Sequence, residues 1–235
     1  MSKRAVLAVA ALACALVASA AIAAPFPDGP GGPGIAIVNV SSLNAKAISG
    51  KLPAFRQYLQ QVCEAWHCTG YLYLGQPNSP RDWTITLNDV SDAANAIGYH
   101  EQVAGVPHAY VSVGTAADAH VPWPVVFTHE LAEMLVDPSA SLLTQTAGDQ
   151  VTPPQFYSFE VSDPVQASTY TVAGVRVADF VYRSWFTPDA VGPYDYMRVT
   201  RQPLQLTPGG WAAVFENGGW HMRTSPLPGH ALLRM

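Results

Sequence analysis

Hydrophobic positions along the chain follow two periods, which predict both helices and strands. Leu52, Phe55, Leu59 and Val62 recur at helical spacing and predict a helix over residues 52–66. Short apolar runs bounded by Gly, Pro, Asn or Ser predict strands. These strands are expected at residues 35–40, 71–74, 83–87, 109–113 and 211–215.

The second part of the chain has a different pattern. Residues 139–158 are rich in small residues and are expected to form loops. Two short apolar runs, 170–172 and 175–177, flank Ala173-Gly174 and predict a hairpin. The predicted fold class is therefore α+β, with an α/β half over 35–138 and a loop- and hairpin-rich half over 139–235. Both halves are assigned to a single domain, 35–235.

The most informative segment is a predicted amphipathic helix over residues 127–138. With about 100° per residue, His129, Glu130, Glu133 and Asp137 share one stripe of this helix. The other side carries the apolar residues Phe127, Leu131, Met134 and Leu135. Pro122 and Pro124 stand near the expected start of the helix, and Pro138 ends it.

Two interpretations of this stripe are open. A polar stripe on an amphipathic helix is commonly a solvated face, but such faces mix acidic and basic residues. Residues 121–140 contain no Lys or Arg, although the chain as a whole has only 12% charged residues. An imidazole and several carboxylates without a cation are typical of a metal site, and the sequence favours that interpretation.

The motif His-Glu-x-x-Glu differs by one residue from the His-Glu-x-x-His motif of zinc hydrolases. By that logic His129 and Glu133 bind the metal, and Glu130 is the general base that activates water. Asp137 is one candidate for a third ligand, because it lies one turn further along the stripe. A carboxylate in place of the second imidazole makes the ligand set harder, so calcium and manganese are alternatives to zinc.

Several segments of the chain resemble an uncharacterised group of bacterial and phage zincin-like metallohydrolases. The similar segments are residues 98–101, 129–138, 160–165, 177–181, 184–186 and 206–210, within a likeness that covers residues 35–215. The resemblance implies a zincin-like fold, in which a mixed sheet is followed by an active-site helix. Ser162 stands where the group usually has Cys, so any role of that sulfur is absent.

Zincins of the glutamate type also suggest a downstream ligand. In that class a Glu after the motif helix is the third ligand, and an Asp three residues later orients a histidine. Glu160 and Asp163 have this spacing, although the segment from Glu133 to Glu160 is longer than usual. Glu160 is therefore the preferred third ligand and Asp163 a supporting residue, with Asp137 as the alternate ligand.

The amino terminus has the pattern of an export signal. Lys3 and Arg4 precede an apolar run, and small residues before position 24 predict cleavage of residues 1–23. Residues 24–34 are expected to be a flexible Pro/Gly leader. The protein is therefore predicted to be secreted or periplasmic. In that oxidising environment Cys63 and Cys68 are expected to form a local disulfide at a helix end.

Charge restricts the classes of partner. Without Lys3 and Arg4, 10 basic residues face 17 acidic ones, a net charge of −7. Nucleic acid and anionic membrane are poor partners for such a chain, and a monomer with a peptide or protein substrate is expected. His100 and His108 are expected to be partly buried histidines with satisfied hydrogen bonds, while a ligand role for either stays open.

These observations predict an exported metal-dependent hydrolase, a zincin-like metallopeptidase that uses a metal-activated water. The alternative is a non-catalytic exported module on the same scaffold, with calcium as a structural cation at the carboxylate-rich stripe.

Overall fold

A computed structural model describes residues 32–146 and 153–227 of the 235-residue chain. The predicted signal peptide, residues 1–23, and most of the predicted leader lie outside these ranges. The first strand begins at Gly34, the last residue assigned to that leader. Within the described ranges, no helix is both long and apolar enough to cross a bilayer.

The first half builds a five-stranded sheet with helices packed against it. Its elements are β1 (Gly34–Asn39), α1 (Ala45–Ser49), α2 (Leu52–Trp66), β2 (Tyr71–Leu74), β3 (Trp83–Asn88), β4 (Gly98–Val103), β5 (Val106–Ser112), α3 (Val113–Asp118) and α4 (Trp123–Val136). The strand order is β2-β1-β3-β5-β4. All neighbours are parallel except β4, which pairs antiparallel with β5 at one edge.

The second half adds two antiparallel sheets. Its strands are β6 (Leu143–Gln145), β7 (Phe156–Ser158), β8 (Thr169–Val172), β9 (Val175–Ala178), β10 (Trp211–Glu216) and β11 (Gly219–Thr224). One sheet has the order β11-β10-β7-β6, and the other is the β8-β9 hairpin. Ala173 and Gly174 both have positive φ, as a two-residue hairpin turn requires. The predicted hairpin and the mixed α+β class are confirmed.

Helix α2 forms over the predicted residues 52–66 and ends in a covalent link. Phe55, Tyr58, Leu59 and Val62 are buried, which is the face that the helical spacing predicted. The predicted disulfide between Cys63 and Cys68 is present and closes the turn that follows the helix. The backbone N–H of Cys68 also donates to the carbonyl of Cys63 at 3.3 Å.

Helix α4 lies at the centre of the molecule. The aromatic ring of Phe127 stacks on Phe55 of α2 with centroids 4.2 Å apart. On another side, the Thr128 hydroxyl accepts a hydrogen bond of 2.9 Å from the backbone N–H of Ala178 in β9. Every residue from Pro124 to Leu135 is buried. One hydrophobic cluster therefore surrounds α4 and contains side chains from both halves of the chain.

Five elements of the structure differ from the sequence prediction. Residues 139–158 were expected to be loops, but they contribute the short strands β6 and β7. Strands β4 and β11 were not predicted. Strand β4 is largely polar and lacks apolar alternation, and β11 has only two apolar residues, Trp220 and Met222, which are both exposed. Val113 begins helix α3 rather than ending the preceding strand.

Two buried carboxyl groups interact with each other in the second half of the chain. Asp179 and Asp195 are both inaccessible to solvent. Asp179 Oδ1 accepts backbone hydrogen bonds from Phe180 at 2.9 Å and Met197 at 3.1 Å. Burial, followed by the charge of Asp195, raises the pKa of Asp179 to about 8. Near neutral pH, Asp179 therefore keeps a proton in the folded chain that it would lose in the unfolded chain.

This pair predicts a pH-dependent stability. An unfolded Asp ionises near pH ~3.9, so from there up to pH 8 unfolding releases a proton and the stability falls. Asp179→Asn keeps the oxygen acceptor without the titrating proton. We expect the variant to gain stability relative to wild type as pH rises, by up to about 1.4 kcal/mol per pH unit. Urea unfolding between pH 4 and pH 9 measures the difference.

The exposed Asp118, changed to Asn, is the matched control and should follow the wild type at every pH. A constant difference between Asp179→Asn and wild type across this range would contradict the assignment of the buried proton.

Candidate metal centre

Helix α4 brings the three motif residues together in the interior. His129 and Glu130 have no exposed surface and Glu133 is 3% exposed, so the interpretation of the stripe as a solvated face is wrong. His129 and Glu133 are one turn apart, and this spacing puts His129 Nε2 within 3.2 Å of Glu133 Oε2. The i, i+4 geometry thus provides two ligand atoms at the separation of neighbouring atoms around one ion.

The segment that follows β7 supplies two more carboxylates. Glu133 Oε1 accepts hydrogen bonds from the backbone N–H groups of Ser162 at 3.1 Å and Asp163 at 3.2 Å, which fix this segment against α4. Asp163 Oδ1 lies 3.1 Å from His129 Nε2. Glu160 stands at the mouth of the same cluster, and its side chain is 18% exposed.

Strand β4 contributes a second imidazole, that of His100. Its Nδ1 atom is 3.8 Å from Glu130 Oε2 and 4.0 Å from Glu133 Oε2, and its Nε2 atom is 3.9 Å from Glu160 Oε2. Nε2 is also 3.2 Å from the backbone oxygen of Asp137. Because a carbonyl oxygen only accepts, Nε2 carries the proton of that hydrogen bond, and Nδ1 is the nitrogen that faces the carboxylates.

The predicted place of Asp137 on the helix stripe is wrong. Helix α4 ends at Val136, and Asp137 is the residue after its last turn. Both carboxylate oxygens are engaged locally, by the N–H and hydroxyl of Ser139 and by the N–H of Leu142 at 2.7 Å. The side chain therefore stabilises the turn that contains Pro138 and leads to Leu142, and it belongs to neither group of converging ligand atoms.

Buried polar atoms without hydrogen-bond partners converge at this place. They are His129 Nδ1 and Nε2, both oxygens of Glu130, Glu160 Oε2 and Asp163 Oδ1. In the part of the chain that the structure describes, no Lys or Arg forms an ion pair with these carboxylates. Three buried carboxylates and the partly buried Glu160, with no cationic side chain of the described residues near them except the two histidines, are costly unless protons or a metal ion neutralise them.

The mutual charges of the cluster shift its pKa values strongly. Burial alone would lower the pKa of His100, but interaction with Glu130 and the charges of Glu160 and Glu133 raise it to about 10. Burial, with the charge of Glu133, raises the pKa of Glu160 to about 8. Burial likewise raises the pKa of Glu130. Burial would also raise the pKa of Glu133, but the charge of His129 outweighs it and lowers that pKa.

The ligand atoms fall into two groups that share one residue. One group is His129, Glu130 and Glu133, and the other is His100, Glu133 and Glu160. Within each group the atoms lie within 4.8 Å of one another. The structure thus brings together all the predicted site residues except Asp137. It adds His100, which was expected to be a satisfied histidine.

A cavity of about 340 Å³ opens beside the cluster. Its polar wall is formed by His100, Glu130, Glu133, Glu160 and Asp163. The rest of the wall is formed by Ala93, Ala94, Ala96, Gly98, Tyr99 and Trp211. His129 does not border this space, so the cavity approaches the cluster from the side of His100. A small molecule or one side chain of a substrate fits next to the carboxylates.

His108, the other histidine on this sheet, lies outside the cluster. Its Nδ1 atom is 2.6 Å from the hydroxyl of Thr84 on the neighbouring strand. It has the satisfied hydrogen bond that the sequence predicted for it.

Comparison with known proteins gives no match. No protein-family profile, no curated protein and no solved structure is significantly similar to this chain. The resemblance to zincin-like metallohydrolases is not tested by these comparisons and stays a prediction.

The close approach of β4 to Glu130 requires a residue without a side chain at position 98, and Gly98 occupies it. A Cβ atom at this position would lie 2.5 Å from Glu130 Oε1 and 2.7 Å from a methyl carbon of Val126. We expect Gly98→Ala to destabilise the protein by about 1–3 kcal/mol, because the new methyl group would overlap these two buried side chains and force them to shift. Chemical denaturation measures the change.

Gly219→Ala is the control, since the nearest side-chain atom to its new methyl group would be 3.8 Å away. Equal stabilities of Gly98→Ala and Gly219→Ala would contradict the close approach of β4 to Glu130 and Val126.

Proposed function

We propose that this protein is a metal-dependent hydrolase, a zincin-like metallopeptidase whose metal centre is the cluster around α4. The observation that carries the proposal is the convergence of two imidazoles and four carboxylates beside a cavity. Their ligand atoms are buried, several have no partner, and a divalent ion would neutralise them.

The proposed ligands follow from the positions of the side chains. His129 and Glu133 offer their atoms from successive turns of α4, 3.2 Å apart. Zinc has bonds of about 2.0–2.1 Å to N and O, so two neighbouring ligand atoms of a tetrahedral zinc site are about 3.3 Å apart, close to the distance between these two atoms. Glu160 is the proposed third ligand. Asp163 Oδ1 lies 3.1 Å from the same nitrogen, His129 Nε2, so this carboxylate would be a further oxygen donor to the ion rather than a partner of the opposite ring nitrogen.

Glu130 is the proposed general base. A bound ion would polarise the scissile carbonyl and make its water more acidic. Glu130 takes the proton as the water oxygen bonds to the carbonyl carbon. It then gives that proton to the leaving amine as the C–N bond breaks. A pKa raised by burial suits both transfers, and Glu130 lines the cavity where a substrate carbonyl would lie.

The setting of the site supports the zincin-like interpretation of the fold. A mixed sheet precedes the motif helix, and its antiparallel edge strand, β4, borders the cavity. The disulfide supports export to a secreted or periplasmic location. The excess of acidic residues supports a peptide substrate over nucleic acid.

A second candidate function is a non-catalytic module in which calcium has a structural role. The observation that favours it is the oxygen-rich donor set, with three carboxylates and two imidazoles, since calcium prefers oxygen ligands. Calcium would then stabilise the fold, and no peptide would be cleaved.

Glu130→Gln separates metal binding from catalysis. We expect the variant to keep wild-type metal content and to lose at least about 100-fold in cleavage rate, because an amide cannot accept the proton of water. His129→Ala is expected to lose both. The measurements are metal content by mass spectrometry and hydrolysis of a mixed-sequence peptide library by zinc-loaded protein.

Glu101→Gln is the matched control, because Glu101 is an exposed glutamate next to His100 on β4, and this variant should keep wild-type metal content and cleavage rate. Wild-type cleavage by Glu130→Gln would contradict the proposed base. An intact library together with a large thermal stabilisation by calcium would favour the structural module.

A further inference from the structure

We infer that the centre is dinuclear, with Glu133 bridging two divalent ions. One ion would lie between His129 and Glu133, and the other between His100, Glu133 and Glu160, so Glu160 would bind the second ion instead of completing the ligand set at His129. This inference deepens the proposed function and rests on it.

The first argument is the division of the ligand atoms. Each of the two groups contains one imidazole, and Glu133 is the only residue common to both. The two imidazoles come from different elements, His129 from α4 and His100 from β4. Glu133 Oε2 faces both of them, at 3.2 Å from His129 Nε2 and 4.0 Å from His100 Nδ1. An oxygen placed between two donor groups is the position of a bridging ligand.

The second argument is the state of Glu133. Its Oε1 atom is occupied by two backbone N–H groups, so its orientation is fixed before any ion binds. Its Oε2 atom is left to face the histidines. The carboxylate is therefore preorganised to bridge through one oxygen, and it need not rotate when a second ion enters.

The third argument is the orientation of His100. Its Nε2 proton is donated to the carbonyl of Asp137, whose side chain is held by Ser139 and Leu142. A metal-binding histidine commonly donates its other N–H to a carbonyl or carboxylate, which fixes the tautomer and leaves the opposite nitrogen for the ion. His100 has this arrangement, with Nδ1 directed at Glu130 and Glu133.

The fourth argument is charge. Glu130, Glu133, Glu160 and Asp163 carry four negative charges when ionised, and described Lys or Arg residues do not pair with them. Two divalent ions match this charge, whereas one ion leaves two negative charges in a buried place. Glu160 Oε2 has no hydrogen-bond partner, which leaves it free to bind the second ion.

The spacing of the second group also indicates which ions it accepts. Its ligand atoms lie within 4.8 Å of one another, and His100 Nδ1 is 4.0 Å from Glu133 Oε2, whereas His129 Nε2 is 3.2 Å from the same oxygen. This wider spacing suits an ion larger than zinc. Mn²⁺ fits this spacing and the mixed imidazole and carboxylate donors. Two ions about 3.5–4 Å apart would bind the attacking water on one side and the scissile carbonyl on the other. Glu130 borders both groups and remains the base.

The test is the number of ions per chain. Untagged protein is freed of metal by prolonged dialysis against chelator and loaded with Mn²⁺. Its metal content is measured by mass spectrometry, and its electron paramagnetic resonance spectrum is recorded. We expect two ions per wild-type chain and the spectrum of an exchange-coupled pair. His100→Ala and Glu160→Gln should each bind one ion and give the spectrum of isolated Mn²⁺.

His108→Ala is the control, because it removes a histidine from the adjacent strand outside the cluster, and it should still bind two ions. Glu160→Gln conserves volume, so it tests the inference even if His100→Ala does not fold. One ion per wild-type chain would overturn the dinuclear centre and leave the proposed hydrolase intact. No bound ion would overturn both. Two ions per chain in His100→Ala and in Glu160→Gln would overturn the assignment of His100 and Glu160 as ligands of the second ion.

Discussion

The carboxylate of Glu133 is the contact on which the architecture of the site depends. One of its oxygens fastens the segment with Ser162 and Asp163 to helix α4, and the other faces the imidazole of His129. The same side chain thus connects the two halves of the chain and presents a free ligand atom. If Glu133 lost its backbone partners, Asp163 would no longer be placed beside His129, and the cluster would lose its fixed geometry.

Burial strengthens the electrostatic interactions of Glu133. Helix α4 is packed by α2, by the sheet and by the β8-β9 hairpin, so water does not screen the charges along it. In such surroundings a carboxylate either holds a proton or needs a cation. The chain uses both solutions in different places. Asp179 keeps a proton beside Asp195, whereas the cluster around Glu133 has two imidazoles and an adjacent cavity.

The extent to which sequence predicts this structure depends on the range of the interactions involved. The helix over 52–66 and the spacing of His129 and Glu133 follow from local periodicity, which short-range geometry fixes. Strand β4 was missed because an edge strand with polar residues on its exposed side has no apolar alternation. His100 was undervalued for the same reason, since only the pairing of β4 with β5 carries it to α4. The position of Asp137 does not follow from helical spacing, because helix α4 ends at Val136, one residue before it.

The full enclosure of His129 also affects kinetics. The cavity reaches the cluster from the side of His100, and His129 has no surface of its own. An ion coordinated to His129 would therefore lie deeper than one at His100, behind the carboxylates of Glu133 and Asp163 that line the cavity. Two ions in one centre would then exchange with solvent on separate timescales, with the ion near His100 leaving first.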